Sequence, residues 1–289
     1  MKRVVVVTVI LTLGLLSTAA LVGCAPTETR INNFSVGPNP SVVVTVGNGN
    51  VNLVTGSEGE IAVTASLKNP DRIDYTVSQV GDVITIIAET QTGSRANVTV
   101  TVPENTGFEL NTGNGDVDVA SVQASGQVNS GNGSIKLKET NGDITGNIGN
   151  GSITLSDIEG SYDLNIGNGN IKVTGAAGLF RMNTGNGDIS ITGATGSFTL
   201  SAGNGGISFE GELTPGNDNN VSVGNGSITM EITGSPSLSL DLEIESQGRV
   251  RCDLPVTVSE QSEHRLIGTV GNGEATLIAR TGSGNITIR

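Results

Sequence analysis

"GNGSITLSDIEGSYDLNIGNGN", Gly149 to Asn170, opens and closes on the same tripeptide. Gly-Asn-Gly starts at Gly113, Gly131, Gly149, Gly167, Gly185 and Gly203, a constant step of 18. The next copy starts at Gly224, a step of 21. Outlying copies start at Gly47 and Gly271, and a relative, "GSGN", starts at Gly282. From Gly131 the repeat divides into rows of nine: GNGSIKLKE, TNGDITGNI, GNGSITLSD, IEGSYDLNI, GNGNIKVTG, AAGLFRMNT, GNGDISITG, ATGSFTLSA. Each row has Gly third and an apolar or aromatic residue fifth, and its seventh residue is apolar except at Gly146. A Gly turn followed by a strand whose fifth and seventh side chains share a face satisfies that pattern. The turn alternates between Gly-Asn-Gly and a looser x-x-Gly, so one 18-residue coil is read as two strands and two corners. The predicted fold is all-β, a parallel β-helix or β-solenoid.

Gly accepts positive φ without steric cost, and Asn tolerates it better than most residues. The tripeptide is therefore read as a corner. In a parallel stack equivalent positions lie about 4.8 Å apart. Asn114, Asn132, Asn150, Asn168, Asn186 and Asn204 are then expected in one column, as a structural amide ladder. A calcium roll is the competing reading, since its nonapeptide is also Gly-rich. That motif has Asp sixth and one apolar position. Here the acids Asp116, Asp143 and Asp188 stand fourth and there are two apolar positions, so no metal or other cofactor is expected.

The composition agrees. Of 289 residues 42 are Gly and 8 Pro, there is no Trp, and charged residues make up 15%. Net charge is −13 and the pI about 4.4, which opposes nucleic-acid binding because phosphates need a basic surface.

The chain opens on Lys2 and Arg3, followed by nearly continuous apolar sequence from Val4 to Leu21. Leu21-Val22-Gly23-Cys24 then resembles the bacterial lipobox. The resemblance implies a signal peptide over 1–23, cleavage before Cys24, and a lipid on Cys24 that holds an extracytoplasmic protein to the cell membrane or envelope. Several acyl chains make a stable anchor, where one alone is marginal. Loss of Lys2 and Arg3 takes the charge from −13 to −15. Such a chain is expected to stand in solvent rather than lie on a negative membrane. With Cys24 modified, Cys252 has no partner for a disulfide. In "RVRCDLPVTV" it reads as a small buried hydrophobe.

Residues 24–32 are read as the lipidated Cys and a polar tether. The solenoid is then 33–289: less regular over 33–110, regular over 111–210, irregular repeats and a cap over 211–289. Alternating runs at Val42-Val44-Val46, Ile61-Val63-Ala65, Ile84-Ile86-Ala88 and Val98-Val100-Val102 are strands in the first part. The segment "GELTPGNDNN" is a turn-rich insertion.

"VTVTVPENTGFELNTGNGDVDV", the Gly-Asn-Gly repeats and the closing "TGSGNITIR" resemble the DUF4097 family, bacterial β-strand-repeat proteins provisionally named adhesins. The chain is similar more distantly to the DUF2807 head-domain family. The resemblance spans roughly Ile31 to Arg289. It implies a right-handed β-helix-like domain exported to the cell surface, and it transfers no catalytic or binding residue.

The inventory for catalysis is short. His264, in "SEQSEHRLIG", is the single His and reads as a surface residue. Asp163 and Arg181 occupy equivalent places one coil apart and could touch across coils. Lys136 and Lys172 share another column, separated by Thr154. These read as salt bridges and charges on a solvated face. The function expected is therefore non-catalytic: a lipid-anchored surface module that binds a glycan or surface protein. Two alternatives remain: an envelope-stress component that binds a wall fragment or regulator, and a polysaccharide-active β-helix enzyme.

Overall fold

The computed structural model describes residues 25–289. The stretch read as a signal peptide, 1–23, and Cys24 lie outside the described residues. Among the described residues there is no α-helix, and one 3-10 turn, Pro70–Arg72, interrupts the strands. Two compact units are present, one reaching Lys136 and the other Leu137–Arg289.

The regular coils explain the second unit. Strands Ile153–Asn168, Ile171–Asn186 and Ile189–Asn204 each run 16 residues, with two residues between them. They pair parallel, with Ile153 over Ile171 and Ile171 over Ile189. One coil therefore equals the step between tripeptides, and the fold is solenoid-like. Ile153, Leu155, Ile158, Tyr162, Leu164 and Ile166 of one coil all point inward and are buried. Stacking puts like upon like. Tyr162 lies on Phe180 at 5.7 Å between ring centroids, and Phe180 on Phe198 at 5.2 Å, both pairs with nearly parallel planes. Such offset pairs add about 0.5–1.5 kcal/mol each beyond their buried area.

The turn-rich insertion ends this aromatic column. Register places Thr199 opposite Asn220, so Asn219 stands where the next ring belongs. Asn219 is fully buried and satisfied: its Oδ1 accepts the Phe198 amide at 2.9 Å and its Nδ2 donates to the Thr276 carbonyl at 3.1 Å. Phe209, from the adjacent column, packs edge-on against Phe198 at 4.8 Å instead.

The coil has one more bend than the two-corner reading gives. The ladder skips from Ser156–Thr174 to Ile158–Ala176, leaving out Asp157 and Gly175. Glu139, Asp157, Gly175 and Gly193 share this position and all take left-handed φ, from 52° to 66°. A second bend follows at Gly160 and Gly178, with φ of 131° and 135°. Pairing continues through both bends, so a strand spans what the nine-residue rows divide.

The first unit has two strand layers. One runs Ile73–Val80, Val83–Thr90, Ser41–Asn48, Gly107–Asn114, Gly126–Asn132. The other runs Thr27–Ser35, Glu60–Lys68, Arg95–Val102, Val51–Thr55, Val117–Ala120. Pairing is antiparallel between the first two strands of the first layer and among the first three of the second, and parallel across the rest of both layers. Val42, Val44, Ile84 and Ile86 of the first layer, and Leu53, Val63, Leu67 and Val98 of the second, form the dry core. The stretch read as a tether differs: from Thr27 it is the edge strand of the second layer. Its alternation is hidden because the side chains turned inward include Glu28, Arg30 and Asn32. The Arg30 guanidinium lies 5.4 Å from the Tyr75 ring centroid and donates to Glu28 Oε1 at 2.8 Å. Inward charges on a terminal strand are one way to keep an open stack from adding further strands.

Candidate functional site

The Gly-Asn-Gly corner places the most regular set of polar groups on the surface. Its third residue is a Gly held at φ near 147° at Gly187, and a Cβ there would sit 2.1 Å from the Gly169 carbonyl oxygen of the coil before. Only Gly lets the coils approach so closely. The corner carbonyls are also used. Thr184 Oγ1, buried one residue before Gly185, donates to the Gly169 oxygen at 2.9 Å, and Thr281 Oγ1 donates likewise to Gly226. In the first unit Thr112 and Ser130 donate in the same way to Gly49 and Gly115, each at 3.0 Å.

The Asn of each corner points outward. In the second unit Asn168 Nδ2 donates to Asn150 Oδ1 at 2.9 Å, Asn186 to Asn168 at 2.8 Å, and Asn204 to Asn186 at 2.9 Å. Asn225 extends this column, donating to Asn204 at 3.1 Å. In the first unit Asn132 donates to Asn114 at 2.9 Å, and Asn114 donates to Asn48 at 2.8 Å. Asn48 donates to Thr90 Oγ1. Asn48 and Asn225 lie off the regular interval, and their signal was the tripeptide itself. Each amide in such a row uses one of its two hydrogens and one of its two lone pairs on its neighbours. For the exposed Asn168, Asn186 and Asn204, that leaves a donor and an acceptor directed at solvent once per coil.

The fourth position of the corner rows has a different use. Asp116 Oδ1 accepts the Ser134 amide at 2.8 Å, and Asp188 Oδ1 accepts the Gly206 amide at 2.7 Å. Asn50 and Asn170 do the same for Asp116 and Asp188. Acid and amide are interchangeable here because the task is to accept one backbone N–H from the next coil.

The other residues singled out are scattered. Asp163 and Arg181 are directly paired in register, 4.0 Å apart and largely exposed. They border a shallow depression of about 250 Å³ with Ser161, Leu179, Ser197 and Thr199. Leu179 is 55% exposed, which gives that face an apolar spot. Lys172 lies opposite Thr154. Lys136 belongs to the first unit, where its charge partly offsets the burial that raises the Asp118 carboxyl. His264 is half-buried at the foot of strand Arg265–Val270, its carbonyl accepting the Ile244 amide. Cys252 is half-buried at the end of strand Val250–Cys252, and burial pushes its thiol up. A charge network that sequence reading missed joins Arg280 to Asp241 at 2.9 Å and to Glu243 at 3.3 Å. Arg265 reaches Asp241, Glu243 and Glu260, each at 3.7 Å. Its members come from four strands between Asp241 and Arg280 with no repeated interval, so no periodic spacing reveals it.

A family model described as Toastrack DUF4097 matches residues 40–289. No curated relative matches the chain. Three solved structures are similar at low identity. A protein from Clostridium sporogenes, provisionally named a cell adhesion protein, is 11% identical with a TM-score of 0.22. The match covers 90% of this chain and 99% of that one. A provisionally named adhesin from Bacteroides fragilis is 11% identical with a TM-score of 0.34, over 91% and 97%. Another from Parabacteroides merdae is 10% identical with a TM-score of 0.28, over 91% and 96%. No site can be read across at these values.

Proposed function

This chain belongs to the Toastrack DUF4097 family, and from that premise we propose that it is a non-catalytic binding module of the bacterial cell envelope. It is held to the membrane by a lipid on Cys24 and binds a glycan or surface protein through its coil surface. The observation that carries the reading is the exposed column Asn168–Asn186–Asn204 with its outward donors and acceptors. A polymer with hydroxyls at a similar repeat can engage several coils at once. Each contact is weak, and the sum becomes useful by multivalency. The depressions beside the coils, about 250 and 290 Å³, are shallow, which suits a long polar ligand better than an enclosed small molecule.

The lipid part rests on the lipobox residues Leu21 to Cys24. Cys24→Ala is expected to release the protein from the membrane fraction, and retention would point to a membrane-spanning anchor instead. The binding part is tested on a glycan array, with product release followed in parallel. Binding that is weakened by replacing Asn168, Asn186 and Asn204 together, without turnover, supports the reading. Reducing-end or unsaturated products would instead support an enzyme centred on Asp163 and Arg181.

A further inference from the structure

The place where the chain would leave its lipid carries three cations without an ion-pair partner among the described residues, on a protein that is acidic as a whole. Pro26 stands two residues after Cys24, and its carbonyl already accepts the Asn69 amide at 2.8 Å. Two residues span at most about 7 Å. The Debye length at physiological salt is about 8 Å. The corner around Pro26 is thus within about one Debye length of a bilayer carrying the Cys24 lipid, where headgroup charges are only partly screened.

That corner gathers Lys68, Arg72 and Arg95, all exposed. Thr27, the residue after Pro26, pairs with Lys68, and Lys68 pairs directly with Arg95. Arg72 closes the turn beside them, with Nη1 donating to the Thr92 carbonyl at 3.1 Å. Like charges opposite each other in a ladder cost stability. Among the described residues none of the three has a carboxylate within 4.0 Å, whereas eight other cations do. The acids of this end are not ion-paired with them. Glu28 is spent on Arg30, Asp71 is in the turn itself, and Asp74 and Glu89 oppose each other on a neighbouring strand pair. The far end of the same layers carries Glu58, Glu60, Asp82 and Glu104 and no Lys or Arg. Glu60 and Lys68 bound one strand, about 27 Å apart at 3.4 Å per residue.

We propose that Lys68, Arg72 and Arg95 form a docking face for the anionic bilayer that carries the Cys24 lipid, so that the first unit sits on the membrane by this corner. The proposal rests on the anchoring reading, and it replaces the expectation that overall negative charge holds the protein off the surface. Net charge decides behaviour at long range; within a Debye length the nearest charges decide it.

The chain has no Trp, so single introduced ones report cleanly. Thr92→Trp marks the proposed face and Ser57→Trp the far end of the layer. The lipoprotein is reconstituted in vesicles containing phosphatidylglycerol and a headgroup-linked quencher. If cells leave Cys24 unmodified, the same chain in a Cys252→Ser background is coupled through Cys24 to maleimide lipid. The mass of the Cys24 peptide then judges the anchor, and the quenching judges the face. Quenching at Thr92→Trp is expected to exceed that at Ser57→Trp by about threefold, and to fall about twofold in 0.5 M salt. The reversal Lys68→Glu/Arg72→Glu/Arg95→Glu should lower it similarly. Equal quenching at the two sites, or quenching that salt leaves unchanged, overturns the proposal. The salt arm keeps the test decisive even if the triple variant folds poorly.

Discussion

The coils from Ile153 to Asn204 and the layers from Thr27 to Val102 are built from the same corner but solve opposite problems. In the coils each residue lies over its equivalent in the neighbouring coil, so every column must tolerate copies of itself. Isoleucine on isoleucine, ring on ring and amide on amide all do. The N-terminal layers instead carry an end of their own. Their outer strands turn antiparallel and face Glu28, Arg30 and Tyr75 into the end of the core. The difference teaches that repetition specifies a coil and departures from it specify an end. At Glu28 and Arg30 the departure places inward charges that a further copy of the strand would have to pair.

The strongest way to break the coils is to remove a donor from the ladder. Ile153 N–H donates to the Asn170 carbonyl and Ile171 N–H to the Asp188 carbonyl, each at 2.9 Å. Pro at either position deletes that bond and wedges a ring between parallel strands. Loss of the cooperative unfolding transition is expected, and an unchanged thermal melt would show that these residues do not stand inside the ladder.

The corners offer a graded test within one coil. Gly187→Ala drives a Cβ to 2.1 Å from the Gly169 oxygen, so the backbones must separate. A cost of about 3 kcal/mol or more is expected by denaturant unfolding. Gly193 has left-handed φ of 66° and nothing nearer than 3.9 Å to its missing Cβ. Gly193→Ala therefore meets only conformational strain, about 1 kcal/mol. Equal costs would mean that corner contacts do not hold the coils together.

These two glycines also mark what the sequence could and could not disclose. Coil length and the inward fifth and seventh positions were legible because each is repeated and each has its own chemistry. Gly187 falls in the repeated tripeptide. The bend at Gly193 was not legible, because its column also holds Glu139 and Asp157, and a single left-handed residue leaves no consistent composition. Strand Thr27–Ser35 was missed for the opposite reason: an end strand turns charged side chains inward and so reads as a tether. The polar surface was legible only where it repeats. The Arg265–Arg280 network falls outside the regular repeat, on strands with no common interval.

High pH should weaken both regions. Burial raises the Tyr75 and Tyr162 hydroxyls to about 12 each. A tyrosine in an unfolded chain ionises near 10. The folded values are the higher ones, so the stabilisation is complete below pH 10 and is lost as pH rises toward 12. About 2–3 kcal/mol per tyrosine is at stake. The melting temperature should hold to pH 9 and then fall, and a flat profile to pH 12 would mean that the hydroxyls are solvated.

The same two tyrosines give the finest comparison. Tyr162, inside the coils, is satisfied: its hydroxyl donates to the Thr140 carbonyl at 2.6 Å and lies 3.1 Å from Thr140 Oγ1. Tyr162→Phe removes this partner from the buried Thr140 hydroxyl, while the Thr140 carbonyl keeps the Glu159 amide, and about 1 kcal/mol should be lost. Tyr75, at the capped end, has a buried hydroxyl with no hydrogen-bond partner among the described residues. Its Arg30 contact is made by the ring face, which Phe also offers. Tyr75→Phe should therefore be neutral or slightly stabilising, because it removes a desolvated hydroxyl and keeps the packing. Denaturant midpoints of the two variants measure the asymmetry directly. A larger loss at Tyr75 than at Tyr162 would mean that the hydroxyl at the capped end has a partner of its own, and that this end is held by a polar bond rather than by an inward charge over a ring.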